Sequence, residues 1–158
     1  IETVIISYRI ASSLYGPHED TYPHLTDERG YENRRAIWNS LLTLIETLEN
    51  AGKRTLFVLQ APELPRSIGY LIPRENTSIS NGVSVEWWNK RIEFVYENII
   101  ELQRLTEIID LSEIFCGEET CLAVQDGKAL YFDGHHMSLD GARRAVKVII
   151  PFIYTRDE

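Results

Sequence analysis

Residues 55–65 read TLFVLQAPELP. The first six are mostly apolar, carry no helical period and are too few for an ordinary helix, so they predict a strand buried on both faces. Pro62 and Pro65 close it, because neither can donate to a β-ladder. A strand of this kind needs cover, and the preceding sequence supplies some. Ile37, Trp38, Leu41, Leu42, Ile45 and Leu48 recur at helical spacing, with Gly52 as a stop, which predicts a helix from about Glu32. Before it, TVIISY (3–8) is another β-branched run, expected to be a second buried parallel strand. Strand, helix and strand make a βαβ unit, which is right-handed in nearly every known case.

The same reading extends toward the C-terminus. Residues 67–84 are rich in Ser, Asn and Gly and predict a long surface excursion. One helix is expected from Val85 to Leu105, with Trp88, Ile92, Val95, Ile99 and Leu102 on its inner face. The adjacent Trp87 and Trp88 should point about 100° apart, one in the core and one at its edge. TEIIDL (106–111) is a third strand, and QDGKALYF (125–132) a short hairpin turning at Asp126 and Gly127. A last helix should run from Leu139 to about Tyr154, with Ser138 as N-cap, Asp140 in its first turn and Pro151 kinking or ending it. This alternation predicts an α/β fold: one domain over residues 1–158, its parallel sheet covered on both faces.

Composition narrows the function classes. The formal charge of −8 opposes a nucleic-acid partner, which would need clustered Lys and Arg. No apolar run approaches the roughly 20 residues of a membrane helix, and no basic-then-apolar leader opens the chain. Ile1 stands where an initiating Met would be, so a piece of a longer polypeptide is expected. Cys116 and Cys121 enclose GEET. They form either a small disulfide loop, pointing to an oxidising compartment, or two free thiols. Structural zinc wants four ligands, and no second Cys or His pair sits at metal spacing.

The chemistry concentrates in YFDGHHMSLDGARRA (131–145). An Asp three residues before a His can accept a bond from ring Nδ1 and leave Nε2 free as a base, the division of labour a serine esterase uses. A lone DxxH quartet is also an ordinary turn, and Ser138 would cap a helix whatever the function. In a parallel α/β sheet the ligand site lies beyond the carboxyl ends of the strands, so this turn must reach that edge to act. Tyr131 and Phe132 are expected to pack the turn. His18 and His24, in a polar loop, are expected to be solvated, and the NTS sequon at Asn76 carries little weight.

The order of the CxxxxC loop, a DG turn, YFDGHH and then MSLDGA resembles the last block of the SGNH hydrolases, or GDSL-like esterases. More narrowly, it resembles the SGNH domain fused to membrane acyltransferases of acyltransferase family 3, which O-acylate bacterial surface polysaccharides. The family block reads approximately DxxHLSxxGA, and Asp133, His136, Met137, Ser138, Gly141 and Ala142 stand at its positions, with His135 at a variable one. The resemblance implies a three-layer α/β/α sheet of SGNH type, with His136 as catalytic base and Asp133 as its orienting acid. It implies no cofactor and no metal. It also implies O-acetyl transfer through an acyl-serine to a polysaccharide such as lipopolysaccharide O-antigen. The alternatives are an O-acetyl esterase and a non-catalytic carbohydrate-binding module. The implied partners are an acyl donor, a carbohydrate acceptor and an N-terminal membrane acyltransferase domain in the same polypeptide. The implied location is the bacterial periplasm, as part of an inner-membrane protein.

Two elements of the family pattern are missing. No Gly-Asp-Ser occurs in the sequence, and ISYRI (6–10) stands where a Gly-x-Asn-Asp block is expected. The expected fold therefore lacks the first strand and nucleophile block, with TVIISY as a middle strand. Ser7, Ser12 and Ser13 lack the glycines of a strand-to-helix nucleophile turn. Arg9 could offer charge to an oxyanion or a sugar, although an Arg packed on a carboxylate is the more frequent arrangement.

Overall fold

Strands β1 (Thr3–Ile6), β2 (Arg54–Leu59) and β4 (Glu107–Asp110) form a parallel sheet in the order β1-β2-β4. The structure is a computed structural model describing residues 2–17, 21–72 and 80–154. Leu59 pairs with Asp110, so β2 and β4 end together, while β1, whose Ile6 pairs with Phe57, stops two residues short of them at the same edge of the sheet. Helices α1 (Ile10–Tyr15) and α2 (Gly30–Asn50) connect β1 to β2. After β2 come α3 (Ile68–Leu71), β3 (Ser80–Ser84), α4 (Val85–Arg91) and α5 (Glu93–Gln103). After β4 come α6 (Ser112–Phe115), β5 (Thr120–Gln125), β6 (Lys128–Ala129) and α7 (Leu139–Tyr154).

The central strand is buried as its sequence requires, and successive side chains serve opposite faces. Phe57 and Leu59 enter a core with Trp38, Leu41 and Ile45 of α2 and Val95 of α5. Val58 enters another with Ile109, Phe115, Tyr131 and Ala145 of α7. Both faces are thus covered, and the expected α/β architecture is present. Phe57 is fully enclosed, so truncating it to Ala would cost about 3–5 kcal/mol.

Several expectations are corrected. TVIISY is parallel, but β1 is an edge strand rather than a buried one: Ile5 is 44% exposed because one side of β1 has no partner among the described residues. Residues 67–84 are not merely a surface excursion. Ile68 is buried, and β3 pairs antiparallel with β5, which pairs with β6 in a second small sheet. Gly82 permits this, since a Cβ there would press on Leu64 and the Cys121 carbonyl. The Asn76 sequon lies outside the described residues. The helix expected from Val85 to Leu105 breaks at Ile92, immediately after Arg91 turns its side chain into the protein. Trp87 and Trp88 are both buried, because Tyr22 packs edge-on against Trp87 and extends the core over it.

The β5–β6 turn is as expected, with Asp126 and Gly127 both at positive φ (52° and 72°), the pair a tight two-residue hairpin demands. Helix α7 continues through Pro151 to Tyr154. Among the described residues no helix is long and apolar enough to cross a membrane.

Candidate active site

The DGHH turn is the tip of a loop closed at its base by backbone bonds. Ser138 N–H donates to Leu130 O at 3.0 Å, and Phe132 N–H to His136 O at 2.7 Å. Tyr131 and Met137 face each other as an antiparallel bridge. Within that frame Asp133 works with both oxygens. Oδ1 accepts the backbone N–H groups of His135 and His136, each at 2.8 Å. Oδ2 lies 2.6 Å from His136 Nδ1. The first oxygen fixes the carboxylate on its own backbone, as Asp does in turns, and the second is thereby aimed at the ring.

The electrostatics follow from this geometry. Burial disfavours the Asp133 anion, but bonds from the His136 ring and from the His136 and His135 N–H groups outweigh it and hold the carboxyl well below the usual range. An ionised Asp133 selects the tautomer with the proton on Nδ1, which leaves the Nε2 lone pair available. The His136 side chain is 66% exposed, so Nε2 can reach a reactant. Among the described residues no serine hydroxyl is bonded to His136. Ser13 Oγ donates to the carbonyl of Arg9, the residue preceding α1, and neither Ser7 nor Ser12 supplies such a bond.

The loop leaving β2 cradles this turn. Leu64 N–H donates to Gly134 O at 2.7 Å, Ile68 N–H to Asp133 O at 3.1 Å, and Tyr131 O–H to Pro62 O at 2.7 Å. The turn therefore sits at the carboxyl edge of the sheet, where a parallel α/β fold places ligands. Glu63 in the same loop is fully buried and takes Arg91 Nε on Oε2 at 2.8 Å. Its Oε1 takes Arg9 Nε at 3.2 Å and Nη2 at 3.0 Å, while Arg91 Nη2 donates to Gly16 O. Arg9 is thus engaged by a carboxylate, the more frequent of its two expected arrangements, and joins the loop after β1 to the loop after β2.

The Cys116–Cys121 disulfide is present, and Gly117 N–H donating to Thr120 O closes the small loop it spans. Tyr131 packs the turn as expected, but Phe132 does not: alternation across the bridged loop sends it outward, and it is 77% exposed. His24 is exposed, and His18 lies outside the described residues. The donor atoms of Asp133, His135 and His136 all lie within 4.8 Å of one another, close enough to share a cation. Asp133 nonetheless has both oxygens committed to N–H partners and the ring, which suits an orienting acid better than a metal ligand.

Three residues of the site escaped the sequence reading. His135 lies against His136, ring centroids 4.2 Å apart, and lines the cavity beside the turn. Glu63 carried a signal, an acid between two prolines directly after a buried strand, but its two arginine partners are 54 and 28 residues away. Arg91, a charge within a predicted helix that nothing local marks, is buried.

Comparison with solved structures finds the periplasmic domain of a Salmonella ser. Paratyphi A lipopolysaccharide acetyltransferase, with a TM-score of 0.66 and 16% identity. That likeness covers 98% of this chain and 57% of the other, and it shows a shared fold. Comparison with curated protein sequences gives no match. A family model described as SGNH domain (fused to AT3 domains) matches residues 1–151, and the chain belongs to that family.

Proposed function

We propose that this chain carries the acid and base of an O-acetyltransferase acting on bacterial surface polysaccharide such as lipopolysaccharide O-antigen. The nucleophilic serine then comes from outside the chain, and the domain works in the periplasm as part of a polypeptide that also holds a membrane acyltransferase domain. The observation that carries this reading is the 2.6 Å contact between Asp133 Oδ2 and His136 Nδ1, on a carboxylate whose other oxygen is tied to two backbone N–H groups. Family membership and the fold shared with an acetyltransferase domain support it.

The steps balance without a cofactor. The serine oxygen attacks the acyl carbonyl of the donor as its proton passes to His136 Nε2, and the donor's leaving group departs with that proton. An acyl-serine remains. A sugar hydroxyl then attacks it, giving its proton to Nε2, and the serine leaves and takes the proton back. Asp133 holds the ring and stabilises the imidazolium through both halves. Water in place of the sugar would give the esterase reaction, and a carbohydrate-binding module would use the turn without chemistry.

The test is the full-length protein with His136→Ala, measured for acetyl transfer to de-O-acetylated polysaccharide. Loss of transfer with an unchanged circular dichroism spectrum is expected. Undiminished transfer would sink the reading.

A further inference from the structure

Beside the dyad lies a cavity of about 420 Å³, within the range of roughly 300–1,000 Å³ typical of small-molecule sites. One wall is the DGHH turn, with the His135 ring; the other is the chain leaving β2, with Arg66, Ser67 and Tyr70, over buried Leu64. We infer that this cavity is the subsite for the acceptor sugar, taking a pyranose ring against Tyr70 with Arg66 and Ser67 donating to its oxygens. The inference rests on the acyl-transfer reading above and specifies where the acceptor binds.

Four observations carry it. Tyr70 is 81% exposed although it lines a cavity, so an aromatic face stands ready for a flat apolar surface such as the C–H face of a sugar. Arg66 makes no ion pair among the described residues, in a chain whose formal charge is −8. Its fork of donors is therefore open to a ligand's oxygens. Ser67 stands at the N-cap position of α3 yet forms no capping bond, leaving its hydroxyl for another partner. Finally, the two walls are fixed to each other by the backbone bonds from Leu64 to Gly134 and from Ile68 to Asp133. A ring held here keeps a constant offset from the turn carrying His136, which is what positioning of a sugar hydroxyl requires. A cavity with a Tyr, an Arg and a Ser suits a polyhydroxylated ring rather than the apolar methyl of an acetyl group.

The experiment uses the full-length protein carrying His136→Ala and, as probe, the source bacterium's surface polysaccharide after alkaline de-O-acetylation. Binding is followed by calorimetry. Adding Tyr70→Ala should weaken binding about tenfold, adding Arg66→Ala should do the same, and Tyr70→Phe should retain affinity within about twofold. Wild-type affinity in the Tyr70→Ala and Arg66→Ala variants would overturn the subsite, as would a loss with Tyr70→Phe equal to that with Tyr70→Ala. Failure of the acyl-transfer reading shows separately, as undiminished acetyl transfer by the His136→Ala protein. Both side chains are exposed, so these substitutions leave the core intact.

Discussion

Replacing Glu63 by Met should destabilise the domain far more than a loop substitution ordinarily would. Glu63 and Arg91 are each 0% exposed, and Glu63 Oε2 is the carboxylate partner of Arg91 Nε. Removing it leaves a guanidinium in the interior with the Gly16 carbonyl as its only remaining acceptor among the described residues, while Arg9, at 28% exposure, can turn to water. Breaking a buried ion pair by deleting one partner costs about 3–5 kcal/mol. For a chain of this length each kcal/mol moves the midpoint by roughly 2–4 °C, so a fall in Tm of about 6–20 °C is expected. Replacing both partners, Glu63→Met with Arg91→Met, removes the stranded charge and should recover much of that loss. Thermal and urea unfolding of the complete domain at neutral pH measure Glu63→Met, Arg91→Met and the double variant. A Glu63→Met cost below about 1 kcal/mol, or a double variant as destabilised as the two single losses added together, would refute the argument. The substitution should also reach the site, since Glu63 lies between Pro62, whose carbonyl holds Tyr131, and Leu64, whose N–H holds Gly134.

Four further outcomes are expected. Asp133→Asn should lower acetyl transfer by roughly 10²–10⁴-fold, because the amide no longer selects the Nδ1–H tautomer; an effect below about tenfold would deny the orienting role. The same substitution tests the acid side of stability. A folded-state carboxyl held below its unfolded value contributes stability above about pH 4 and loses it as pH falls through the lower folded value, so wild type should show that loss and the variant should not. Identical urea midpoints from pH 2 to 6 would refute it. Reducing Cys116–Cys121 should cost about 2 kcal/mol on a loop-closure estimate, read as a Tm drop of roughly 4–8 °C with and without a phosphine reductant. Gly141→Ala, normally favourable in a helix, should instead destabilise by about 1–3 kcal/mol, since its Cβ would drive into the Leu130 carbonyl. A higher Tm in this variant would refute that close approach.

The parts of the fold legible in the sequence were those with strong local signals. TLFVLQ was legible because a central strand is apolar on both faces, and α2 because its stripe repeats over about three turns. Asp126-Gly127 was legible because few dipeptides accept two positive φ values. What stayed hidden depended on partners distant in the chain. Nothing in TVIISY distinguishes an edge strand from a central one, since that is decided by what lies beside it. SNGVS has no apolar run and becomes a strand only because β5 offers it a ladder. The pairing of Glu63 with Arg91 stayed hidden because a buried ion pair is a property of two segments, here 28 residues apart. The Asp133–His136 pair was legible for the opposite reason: the bonds to the Asp133 carboxylate all come from within three residues.

That locality explains why the block from Asp133 to Ala142 can be recognised at all. Each residue type in it answers a physical demand set by the others. Asp is needed at 133 because a carboxylate can accept the N–H groups two and three residues ahead and still present a second oxygen to the ring at 136. The chain must then turn back, and Ser138 completes this twice, with its hydroxyl donating to Ala129 O and accepting from Gly141 N–H to start α7. Gly is needed at 141 because the helix begins against the carbonyl of Leu130, the residue that follows β6 into the loop. The loop's two ends are thereby clamped within a few ångströms, and its tip is held from outside by the chain after β2. A turn that merely capped a helix would need Ser138 and nothing from Asp133. Here the acid's second oxygen is aimed at an exposed imidazole, which leaves the other ring nitrogen facing solvent, as the base proposed above requires.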